Sequence, residues 1–145
     1  MTSESFAETA VPGMPPGGTS GTDYQPGTCN IGPAEIARRR RAGHVGLGAT
    51  VILFGGLVAV GAPPVARLSV AIPAAIAASG YLQARLRFCA GFGSRGVFNF
   101  GPLGEVAQVS DDAARARDRA RATQIGLASL AVGVAVGVLA VLLPL

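Results

Sequence analysis

Cys29, Cys89 and His44 are the residues whose chemistry stands out in this chain, which has two cysteines and one histidine. Cys29 precedes the first long apolar stretch and Cys89 follows the second. A hairpin of those stretches puts both thiols at one membrane face. There they suit a redox pair or, with His44, part of a metal site. A zinc site takes about four ligands, and only three soft candidates exist, so no metal is expected. Reduced thiols are the expected state in a cytoplasmic compartment. Glu35 is the acid closest to His44 in sequence but falls in a different helical turn, so no Ser/His/Asp set is expected. The apolar stretches hold no paired carboxylates, which leaves a proton or ion relay without support. No catalytic residue, no cofactor and no enzymatic activity are therefore expected.

Gly91, Gly93 and Gly96 spell G-x-G-x-x-G. The dinucleotide-binding form of that motif needs a strand before it and a helix after it. Here an apolar helical stretch precedes it and Val97–Pro102 follows, so the match is read as chance in a glycine-rich chain. A weaker expectation stays open, that Gly93 and Gly96 let the backbone curl round a lipid phosphate near Arg95.

Composition names the solvent. Hydrophobic residues make up 50% of the chain and charged residues 14%, against about a quarter charged in a soluble domain. The net charge is +4 and every basic residue is Arg. These arginines flank apolar stretches, which fits membrane topology better than nucleic-acid binding. The first 28 residues contain no apolar core of a secretory signal.

Three spans of about 20 residues suit a bilayer core of about 30 Å. They are Ala42–Ala62, Val65–Gln83 and Gln124–Leu145. Pro63-Pro64 should stop the first span and force a tight antiparallel hairpin. Pro73 should kink the second. Arg67 should snorkel from the start of the second span to the interface. The fold class expected is all-α, integral membrane, with three transmembrane helices. The organisation expected is a disordered cytoplasmic tail over 1–28, a transmembrane hairpin with an interfacial segment over 29–104, and a charged helix running into the third span over 105–145.

Arginine sets the orientation. Arg38, Arg39, Arg40 and Arg41 precede the first span, Arg85, Arg87 and Arg95 follow the second, and four more precede the third. Only Arg67 lies opposite. The positive-inside rule puts the N-terminus and the middle loop in the cytoplasm and the C-terminus outside. Arg115, Arg117, Arg119 and Arg121 spread round their helix as an anchoring collar. Ser110 should cap that helix, with Asp111 and Asp112 in its first turn and Asp111 facing Arg115 at i,i+4. Phe88, Phe92, Phe98, Phe100 and Tyr81 should sit at the headgroup level.

Gly126, Gly133 and Gly137 line one face of the third helix, where small residues allow close packing. That face fits either the chain's own hairpin or another chain. Gly48, Gly55 and Gly56 in the first span, and Ala74 and Ala78 in the second, allow the same.

Asn30, Gly32, Glu35, Arg39 and Gly43, followed after the second span by Phe88-Cys89-Ala90-Gly91-Phe92 and Gly96, resemble the opening and closing patterns of the bacterial YgaP-like two-helix transmembrane domain family. The resemblance covers about residues 29–100. Ala90 stands where that family has Pro, and Ile36 where an Arg often follows the acidic residue. The resemblance implies a self-associating helical hairpin in a bacterial plasma membrane. It brings no reaction, since the chain has no rhodanese domain. Taken together, the expected function is a non-enzymatic accessory or structural subunit in contact with lipid and with other membrane subunits or its own copies. The alternative is a thiol-dependent redox or sulfur-handling protein using Cys29 and Cys89.

Overall fold

The computed structural model describes residues 23–145. The expected tail therefore lies largely outside the described residues. Its end does not: 23–28 form an ordered turn, so the folded body starts earlier than residue 29.

Helix α1 spans Pro33–Ala59. Proline at its first position is preset for a helix and lacks an N–H that would be unpaired there. The four consecutive arginines thus belong to the first turns of the same helix that becomes apolar at Ala42. The helix ends before the proline pair. Gly61 takes a left-handed conformation with φ of 65°, and its N–H donates to the Val58 carbonyl. Pro63-Pro64 instead opens a 3₁₀ helix over Pro64–Val70, which passes into α2, Ala71–Leu86. Pro73 is the third residue of α2, where a helix N–H has no α-helical partner to lose. The change from 3₁₀ to α stands where a mid-helix kink was expected.

Helix α2 is the middle layer, with α1 on one side and the 31-residue α4, Asp112–Leu142, on the other. The side chains at the crossings are nearly absent. A Cβ on Gly80 would stand 2.4 Å from the Gly43 nitrogen, and one on Gly46 would stand 2.6 Å from the Ala77 nitrogen. On the other side, a Cβ on Gly133 would stand 2.5 Å from the Ala71 carbonyl oxygen, and Gly137 faces Ala71 and Leu68. The Gly133–Gly137 pair therefore packs against the chain's own hairpin. Gly126 does not share that role, having no neighbour within 4 Å. The crossing of α1 uses Gly43 and Gly46, while Gly48, Gly55 and Gly56 face open space.

Between α2 and α4 the chain makes the six-residue helix α3, Ala90–Arg95, and a short antiparallel ribbon of β1, Val97–Phe98, and β2, Ala107–Gln108. Phe88 is fully buried against Ala122 and Ile125. It is a core residue and not a headgroup-level ring. Asp111, not Ser110, caps α4, accepting a hydrogen bond from the Ala114 N–H at 2.8 Å. Arg115 pairs with Asp112 at 3.8 Å and donates from Nε to the Val109 carbonyl, so the expected Asp111–Arg115 pair does not form. The charged helix and the third span are one continuous helix, as expected.

At the far end, Arg67 is buried. It donates to the carbonyls of Leu143 (3.0 Å) and Leu145 (2.7 Å), beyond the last turn of α4. A cation there satisfies orphan carbonyls and opposes the negative end of the helix dipole. Arg67 is thus a bridge between the second and third spans and does not reach freely for the interface.

Three helical segments, Pro33–Ala59, Pro64–Leu86 and Asp112–Leu142, are long and apolar enough to cross a membrane. The chain is an all-α membrane protein. Gly80→Leu should lower stability in detergent by about 3 kcal/mol through overpacking, while Gly48→Ala should stay within about 0.5 kcal/mol. Equal unfolding temperatures for the two variants would remove the Gly43–Gly80 crossing.

Candidate functional site

Polar side chains are buried at one end of the bundle, where α1 begins, α2 ends and α4 begins. Asn30, Glu35, Gln83, Asn99 and Asp118 are all buried there. Segments without regular ladders must satisfy their backbone groups by other means, and Asn30, Gln83, Asn99 and Asp118 do that work. Asn30 Nδ2 donates to the Cys89 carbonyl (3.1 Å), and its Oδ1 accepts from the Cys89 N–H (2.7 Å). Gln83 Oε1 accepts from the Ala90 N–H (2.9 Å), and its Nε2 donates to Ser79 Oγ (2.8 Å). Asn99 closes its own turn, donating to the Pro102 carbonyl and accepting from the Gly101 N–H. Its backbone also pairs with Asn30 and Gly32.

Asp118 receives the ordered part of the N-terminal segment. The Tyr24 hydroxyl donates to its Oδ2 at 2.6 Å and the Gly27 N–H to its Oδ1 at 2.7 Å. The Tyr24 ring stacks on Phe98 with centroids 4.9 Å apart. Burial first, and then the hydrogen bond to Asp118, push the Tyr24 hydroxyl above the ordinary tyrosine range. Neither residue stood out in the sequence reading. A signal existed: Asp118 is the lone acid among the four arginines of the collar, and Tyr24 is the lone aromatic between Phe6 and Phe54.

The thiols are brought to the same end but into different surroundings. Cys89 is 1% exposed and free, and Arg39 Nη2 donates to its Sγ at 2.8 Å. The same Nη2 lies 3.8 Å from Glu35, which also faces Arg38 at 3.6 Å. Glu35 is 1% exposed, and its two carboxylate oxygens accept no hydrogen bond among the described residues. Glu35, Arg39 and Cys89 thus form a chain of polar contacts from α1 to the end of α2. Cys29 is half-buried, free, and lines a separate cleft. Arg39 is the member of the arginine run that turns inward, while Arg38, Arg40 and Arg41 are exposed, as are Arg85, Arg87 and Arg95.

His44 does not join the thiols. Its Nδ1 lies 2.7 Å from the Tyr81 hydroxyl, with the rings edge-on. No group of three or more His, Cys, Asp or Glu side chains gathers among the described residues. The Gly91–Gly96 motif folds as α3 and its left-handed end, not as a strand-to-helix phosphate loop. Gly93 faces the Phe88 ring and the α4 backbone, and Gly96 faces Arg115. Neither glycine fronts an open space for a phosphate beside Arg95.

A groove of about 390 Å³ runs between α1 and α4 over α2. Ser79, Gln83, Arg39, Gly126 and Ser129 line it.

Two outcomes test this geometry. A maleimide should label Cys29 in the folded protein at least roughly tenfold faster than buried Cys89, with both labelled after denaturation. Equal rates would contradict the Cys89 environment. Tyr24→Phe should cost about 1 kcal/mol. Because the folded-state pKa of Tyr24 is raised, its contribution is present below about pH 10 and is lost as pH rises beyond that. The unfolding-temperature gap between the parent and Y24F should therefore hold to that pH and shrink above it.

Comparison of the chain with protein-family models, curated proteins and solved structures gives no match.

Proposed function

We propose that this chain is a non-enzymatic, multi-pass accessory or structural subunit of a larger membrane assembly. The observation that carries the reading is the bare outer half of α1. The residues that α1 buries are Glu35, Gly43 and Gly46, all in its first half. Beyond them Val51, Ile52 and Val60 are exposed, and Gly48, Gly55 and Gly56 meet nothing within 4 Å. Small residues on an apolar helix let a second helix approach closely in lipid, where packing rather than water exclusion drives association. A partner helix, from another subunit or a second copy, fits that surface.

The orientation belongs to the same reading. The exposed arginines gather at the polar end, and Arg67 lies at the other. With the polar end in the cytoplasm, the chain obeys the positive-inside rule in a bacterial plasma membrane. The similarity of residues 29–100 to the YgaP-like two-helix domain is in keeping with this. Of the residues that carry it, Asn30 and Arg39 contact Cys89 at that end.

A second reading has its own observation, the 2.8 Å contact between Arg39 Nη2 and Cys89 Sγ. It gives charge developing on that sulfur a donor already in place, which suits a thiol-dependent redox or sulfur-handling role.

Extraction of tagged protein in mild detergent should bring down a membrane protein, or a second copy, in fixed ratio. Gly55→Leu should abolish that association and leave the unfolding temperature unchanged. A lone monomer from native membranes would sink the subunit reading. The thiol reading fails if Cys89→Ser leaves every thiol-dependent phenotype intact.

A further inference from the structure

A cleft of about 920 Å³ lies at the polar end, between the start of α1 and the end of α2. Arg40, Arg85 and Arg87 line it, with Cys29, Gly32 and Phe100. Asp23 is the acid among its lining residues. None of the three arginine side chains makes a hydrogen bond or ion pair among the described residues. These three are exposed, whereas the half-buried arginines at this end are engaged: Arg39 with Cys89 and Glu35, Arg115 with Asp112 and Val109, and Arg121 with Gln124. Like charges drawn to one concavity repel, and the repulsion is relieved when an anion sits among them. Guanidinium groups are suited to phosphate oxygens by their forked N–H geometry.

Two further features shape the cleft. The first turn of α1 opens on it through Gly32 and Pro33. Gly32 offers no side-chain cap, so the positive end of a 27-residue helix adds to the field. Arg87 is held in the left-handed conformation with φ of 52°, and its carbonyl accepts from the Asn30 N–H at 3.1 Å. Left-handed backbone is uncommon for a residue other than glycine, and here it fixes where Arg87 leaves the helix end. Arg40 lies two residues before the uncharged part of α1, which places the cleft at headgroup level in a bilayer.

We infer that this cleft is a binding site for a phosphate group, carried by an anionic phospholipid headgroup or by a soluble phosphate compound, with Arg40, Arg85 and Arg87 as its ligands. A volume of this size accepts a whole headgroup. The site is separate from the α1 surface proposed for a partner helix, so either can fail alone.

The test uses the full chain, stripped of lipid in detergent. One arm adds phosphatidylglycerol or phosphatidylcholine and counts bound lipid by native mass spectrometry. The other titrates inorganic phosphate and glycerol 3-phosphate by calorimetry. Phosphatidylglycerol binding in preference to phosphatidylcholine identifies the lipid as the source. Saturable binding in the second arm alone identifies a soluble phosphate. The R40Q/R85Q/R87Q variant should lose at least about tenfold in affinity, since each basic residue contributes on the order of 1 kcal/mol. R41Q/R95Q/R119Q removes the same charge elsewhere and should stay within about twofold of the parent. If the cleft variant unfolds, Arg85→Gln and Arg87→Gln singly should each weaken binding severalfold. Equal losses in the two triple variants, or no phosphate binding in either arm, overturn the proposal.

Discussion

Helices that pack in lipid gain little from excluding water, because hydrocarbon on the outside is as apolar as the side chains within. Close approach of backbones must supply the attraction, and α2 has to accept such an approach on both sides. Gly43 and Gly46 meet Ala77 and Gly80 on one side, and Gly133 and Gly137 meet Ala71 and Ala75 on the other. The rest of the bundle follows from those two crossings. They put the start of α1 and the end of α2 beside the start of α4, and they leave Val51, Ile52 and Val60 exposed towards the other end of α1.

Where the helices converge, irregular backbone has to be satisfied without a sheet large enough to do it. Asn30 grips Cys89 by both backbone groups, Gln83 holds the start of α3, and Asp118 draws Tyr24 and Gly27 onto α4. Each is a short polar side chain acting where a ladder bond would otherwise be needed. A buried donor left without its partner costs about 1–3 kcal/mol, so the polar end is sensitive to single changes. The same gathering sets Arg40, Arg85 and Arg87 round a common cleft, and it leaves Arg39 against Cys89.

The two ends use arginine in opposite ways. At the far end Arg67 is buried, and its two terminal nitrogens donate to oxygens of the residues that follow α4. At the polar end most arginines reach outward, and Arg39 turns inward to serve the Glu35–Arg39–Cys89 contacts. The charge asymmetry that reads as topology therefore also has a structural side, because each end is closed by a different arginine chemistry.

Hydropathy and charge clustering by themselves determined the class of the protein, the three apolar helices and the continuity of the charged helix with the third span. Those properties depend on residues near one another in sequence and on the solvent they meet. The close-packing face of α4 was also legible in Gly133 and Gly137, though not what it packs against. Helix pairing decided the rest. Gly46 and Gly80 matter because two helices cross there, whereas Gly48, Gly55 and Gly56 look equivalent in sequence and touch nothing. The roles of Asp118 and Tyr24 join residues 94 positions apart, a distance that no local pattern encodes. The cleft draws Arg40 from α1 and Arg85 and Arg87 from the end of α2. It exists only because the tertiary structure sets those ends side by side.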